Sequence, residues 1–148
     1  MLWKHPMECI IFSAMKKEDI KILLFDLCSR LPNNVILKTP NGDGYLCDIC
    51  NAPLLGWQVS VRIGLEKKTF DIEEVTPYLR TFDSIKDYEC DRFEEMVFPM
   101  QDWNGEMSAV IRVKDVTKLI EFYNSIMLDH NDLIEKGLAL EAPEEMYD

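Results

Sequence analysis

Apolar residues recur at helical spacing in "KKEDIKILLFDLCSRLP", residues 16–32. Ile20, Leu23, Leu24, Leu27, Cys28 and Leu31 fall at the i, i+3, i+4 and i+7 positions of one face. Glu18 and Asp19 near its start and Arg30 in its last turn suit the helix dipole, and Pro32 stops it. Ile22 and Phe25 widen the stripe, so this segment reads as a central helix packed on a sheet. Just before it, "CIIFSA", residues 9–14, predicts a short buried strand. After it, "NVILKTPNGDGYLCDI" predicts a hairpin, because Asn41-Gly42 and Asp43-Gly44 tolerate positive φ between two apolar runs. In "WQVSVRIGL", residues 57–65, the period is two: Trp57, Val59, Val61, Ile63 and Leu65 share one face, and Gln58, Ser60 and Arg62 the other. That pattern calls for a sheet with one solvated face.

The second half is less regular. "FDIEEVTPYLRTF" predicts a short helix capped by Asp71 and broken at Pro77. "CDRFEEMVFPM", residues 90–100, predicts a strand with mixed faces, whose end or sheet edge Pro99 marks. "QDWNGEM" has the turn chemistry to lead into a strand at 108–113. "DVTKLIEFYNSIMLDH" predicts a last helix capped by Asp115, burying Val116, Leu119, Ile120, Tyr123 and Met127, with a further turn ending at Gly137. The acidic residues 141–148 read as a frayed tail. The expected fold is α+β: a mostly antiparallel sheet of about five to six strands with two to three helices packed on one face, in one domain over residues 1–148.

Composition narrows the function classes. The apolar runs are far shorter than the roughly 20 residues that span a bilayer, and Pro6 and Glu8 interrupt any leader-like run at the N-terminus. A cytoplasmic, non-membrane protein is expected. Five scattered cysteines, Cys9, Cys28, Cys47, Cys50 and Cys90, fit reduced thiols. The net charge of −11 is uneven: residues 1–70 carry 9 basic and 7 acidic side chains, whereas residues 71–148 carry 7 and 20. Such a balance speaks against direct binding of nucleic acid and suits a basic protein partner, although acidity alone also keeps proteins soluble.

The acidity concentrates in residues 83–106, which hold eight carboxylates against Lys86 and Arg92. Asp83, Asp87, Glu89, Asp91, Glu94, Glu95 and Asp102 are interleaved with Tyr88 and Trp103, the pairing of steering charge and aromatic anchor found at interfaces. These nine residues are the candidate partner-binding set. The alternative is a solvated strand whose aromatics face the core. Cys47 and Cys50, in "YLCDICNAP", have the spacing of half a zinc site or a redox pair. No second knuckle completes the zinc set. In a regular strand an odd separation puts the two thiols on opposite faces, and a strand is the expectation here. Nothing else resembles a catalytic signature, a phosphate loop or a cofactor motif, so no enzyme activity and no cofactor are expected.

"VIRVKDVTKLIEFYNSI", residues 110–126, is a strand leading into a helix carrying Leu119, Ile120, Phe122 and Tyr123. With the small size and the acidity, it resembles bacterial immunity proteins of contact-dependent growth inhibition. That resemblance implies a cytoplasmic inhibitor that binds one toxin domain, often a basic nuclease, and occludes its active site or a neighbouring surface. A phage anti-defence inhibitor follows the same physics. A small regulatory or zinc-binding module built on Cys47 and Cys50 is the alternative.

Overall fold

The computed structural model describes residues 15–101, 104–111 and 115–148. The strand expected at 9–14 lies outside them, as do Asp102 and Trp103. The described residues open with helix α1 (Lys17–Arg30), followed by strands β1 (Ile36–Thr39), β2 (Gly42–Ala52), β3 (Gly56–Ile63), β4 (Glu66–Asp71) and β5 (Thr76–Leu79). Helix α2 (Asp87–Met96) runs directly into β6 (Val97–Gln101), which pairs with β7 (Met107–Ile111). Helix α3 (Val116–Ser125) and the two-residue strand β8 (Leu140–Glu141) complete the order. Among the described residues the main sheet has six strands in the order β4-β3-β2-β1-β5-β8, antiparallel except for the β5–β8 pair, and β6–β7 form a separate two-stranded sheet. The fold is α+β, with a mostly antiparallel sheet and, among the described residues, three α-helices, as the sequence pattern requires.

One face of the sheet makes the core. Leu37, Leu46, Val59, Val61 and Phe70 are buried there against Leu23 and Leu27 of α1. The opposite face carries Tyr45, Asp48, Arg62 and Lys67, all exposed. Gly44 lets β2 approach β3: a Cβ at this position would collide with the Arg62 carbonyl and the side chains of Val61 and Ile63.

Several local expectations are corrected by tertiary contacts. On α1 the helical stripe includes Asp26 and Arg30, both fully buried, while Cys28 and Phe25 are exposed. Arg30 donates to both carboxylate oxygens of Asp26, at 2.8 and 3.1 Å, and to Leu128 O at 2.7 Å, so the charges lie in the core as a bonded pair. Residues 70–82 are not a helix. Asp71 does form a capping box with Glu74, but it closes only a single 3-10 turn, Ile72–Glu74, before Pro77 enters β5 beside Leu37. Residues 90–96, expected as strand, belong to α2, and only the 97–101 portion is extended. Leu65 falls in the β3–β4 turn after Gly64 (φ 63°) and is fully exposed. On α3 the helix buries Phe122 and Asn124, while Val116 and Ile120 are exposed. Met127 is buried just past its end. Asn124 Oδ1 lies 2.8 Å from His130 Nε2, which accounts for its inward turn.

The tail is docked rather than frayed. β8 extends the sheet beside β5, and the Tyr147 hydroxyl accepts from Ile36 N at 2.9 Å and donates to Tyr78 O at 2.6 Å. Leu37 pairs with Pro77, so Ile36 and Tyr78 would be the next partners in register. The tyrosine hydroxyl replaces that missing rung of the ladder.

Candidate functional site

Helix α2 sorts the acidic segment by its period of 3.6. At roughly 100° per residue, Asp87, Asp91, Glu94 and Glu95 fall on one stripe, with Tyr88 at its edge. All five are exposed. Glu89 points the other way and is buried, together with the half-buried Phe93 and Met96. The stripe and the inward carboxylate therefore have separate origins.

Glu89 is a structural residue, which corrects its place among the candidate partner contacts. Arg80 Nη1 and Nη2 bind its two oxygens at 2.8 and 2.7 Å, and Lys86 N donates to Oε1 at 2.9 Å. Arg80 also donates to Ile126 O and Ser84 O. One bidentate pair thus ties the start of α2 to β5 and to the end of α3. The Arg80 hydrogen bonds hold the Glu89 carboxyl below its ordinary pKa, and the same pairing raises that of Arg80.

The outward carboxylates have no such partners in the helix. Asp87–Asp91 and Asp91–Glu95 are like-charge i, i+4 pairs, each costing about 0.2–0.5 kcal/mol. Glu94 and Glu95 stand in the last turn, where the helix dipole disfavours negative charge and which holds no basic residue. Arg92, the cation of this helix, lies over the Phe122 ring at 5.3 Å to the centroid.

The fold enlarges the acidic surface beyond what the linear sequence joins. Asp83 borders a hollow of about 450 Å³ whose far wall is the tail, including Glu141, Glu144, Glu145 and Asp148. Lys86 pairs with Asp148 across it. A second hollow, of about 360 Å³, lies between Tyr45, Tyr88 and Tyr147. Tyr45 is half exposed on the outer sheet face and gave no signal in the sequence, because its neighbour in space, Tyr88, is 43 positions away. Exposed Tyr88 beside acids on one side and a recess on the other has the form of an interface anchor.

Cys47 and Cys50 both lie in β2, and both are at least partly exposed. The β2–β3 register slips between Leu46 and Asp48, which makes Cys47 the extra residue of a β-bulge. Among the described residues, no three His, Cys, Asp or Glu side chains come together as metal ligands. No helix among them is long and apolar enough to cross a membrane. In comparisons with protein-family models, curated proteins and solved structures, nothing matches this chain.

Proposed function

We propose that this chain is a non-enzymatic, acidic binding protein that neutralises a basic protein partner by occlusion, in the manner of an immunity or antitoxin-type inhibitor of a nuclease toxin. The observation that carries this reading is the exposed stripe of Asp87, Asp91, Glu94 and Glu95 on α2, with Tyr88 at its edge. Most of that stripe works against the helix: Asp87 suits the N-terminal end of the dipole, but the i, i+4 pairs repel and the last two acids oppose the dipole. A cationic partner reverses both signs. Carboxylates at helical spacing mimic the phosphates that a nuclease cleft receives, and Tyr88 slows dissociation once docked.

The test is protection in cells. A basic nuclease toxin domain, sought among the genes encoded beside this chain, is expressed with the wild type or with Asp87→Lys/Asp91→Lys/Glu95→Lys. The wild type is expected to restore growth and the triple variant to lose that protection while remaining folded. Equal protection by both sinks the acidic-face reading.

A further inference from the structure

The tip of the β2–β3 hairpin is built against backbone preference. Leu55 N donates to Ala52 O at 3.1 Å, closing a turn in which Pro53 is followed by Leu54 at φ 71°. That is the order of a type II turn, whose third position ordinarily takes Gly or Asn because a Cβ there crowds the backbone. Here a leucine occupies it, fully exposed, with Leu55 70% and Trp57 37% exposed beside it. Backbone strain and bare apolar surface both oppose folding, and such sites are retained where contact with another surface recovers the cost.

The tip is also held in place. Gln58, nine-tenths buried, donates to Leu55 O at 3.3 Å and to the Asp71 carboxylate. Asp71 N in turn donates to Glu74 Oε1 at 3.3 Å. Gln58 thus links the backbone of the tip to Asp71, and Asp71 and Glu74 are both exposed. Those charges disfavour an anionic lipid surface and suit an apolar recess rimmed by ammonium groups.

The same chain carries such a recess. On the outer side of α1, Ile22 and Phe25 (78% exposed) line a hollow of about 440 Å³ bordered by Lys21, Asn131 and Lys136. Asn131 Nδ2 donates to Asp26 Oδ1 at 2.9 Å, so this rim is fastened to the buried Asp26–Arg30 pair. We infer that the Leu54–Leu55 tip of one copy docks into the Ile22–Phe25 recess of a second copy, with Asp71 and Glu74 facing Lys21 and Lys136. Tip and recess are different patches, so the contact is head-to-tail, and each pair of copies keeps one free tip and one free recess.

Sedimentation velocity from micromolar to millimolar concentration tests it. The weight-average mass is expected to rise above the single-chain 17.3 kDa with concentration and to fall back as salt is added. Leu54→Asp/Leu55→Asp, without a tip, and Lys21→Glu/Phe25→Asp, without a recess, should each stay monomeric. All four positions are exposed, and circular dichroism checks that both variants fold. An equimolar mixture of the two should form a dimer and stop there, because only one intact tip meets one intact recess. A wild type that stays monomeric at millimolar concentration overturns the inference, including the case in which its tip binds zwitterionic vesicles instead. Association that survives in either variant overturns it equally.

Discussion

Arg80 and Glu89 form a bidentate ion pair, at 2.7 and 2.8 Å, that fastens the first turn of α2 to β5. Both side chains are largely withdrawn from water, so removing one strands the other. Glu89→Ala is expected to cost about 3 kcal/mol, read from urea denaturation. The acid limb tests the same pair. Glu89 titrates lower when folded, so its contribution is present above the unfolded carboxylate pKa of about 4.3 and is lost as pH falls through the folded value. Glu89→Gln should remove that part of the acid-induced loss. Stability curves for Glu89→Gln and the wild type that stay parallel below pH 5 would contradict the assignment.

Asp26 and Arg30 are both fully buried, and Arg30 Nη1 has no hydrogen-bond partner among the described residues. Asp26→Ala leaves an uncompensated charge in the core and should cost roughly 3–5 kcal/mol. Replacing the pair together, Asp26→Leu/Arg30→Met, should cost clearly less. Equal losses in chemical denaturation would show that the pair is not acting as a unit.

This pair also shows where the sequence was legible. α1, the β1–β2 hairpin and β3 follow from periodicity because most of their buried positions are apolar and recur at the period of the element. The burial of Asp26, Arg30 and Glu89 does not, since each is buried only by virtue of a partner. Arg80 lies nine positions from Glu89, and Leu128, which receives Arg30, lies 98 from it. A buried carboxylate at the third position of α2 hides the helical period and lets residues 90–96 pass for strand. The acidic stripe was legible as composition. Its separation from Glu89, and its neighbours in the tail, required the fold.

Tyr147 fills the gap between β1 and β5. Tyr147→Phe deletes both of its hydrogen bonds and should destabilise by about 1–2 kcal/mol, with faster amide exchange at Ile36. Burial pushes the Tyr147 pKa up to about 12. The neutral hydroxyl therefore stabilises the fold fully below the unfolded tyrosine pKa of about 10, and that stability is lost as pH rises towards the folded value. Ultraviolet titration of the wild type against Tyr147→Phe should show one late-titrating tyrosine disappear.

Leu54 holds a left-handed backbone conformation. Leu54→Gly should raise stability by about 0.5–1 kcal/mol in thermal unfolding, since the relief of strain exceeds the entropy glycine adds to the unfolded chain. A loss of stability would mean that Leu54 packs within its own chain.

The central claim is that the α2 stripe steers a basic partner, and the association rate constant tests it most directly. Stopped-flow mixing with a basic toxin domain that the wild type neutralises, across a range of salt, compares the wild type with Asp87→Lys/Asp91→Lys/Glu95→Lys. The account predicts a fall of roughly tenfold or more at low salt and a flattened salt dependence. A triple variant that associates as fast as the wild type, with the same dependence on salt, would contradict it.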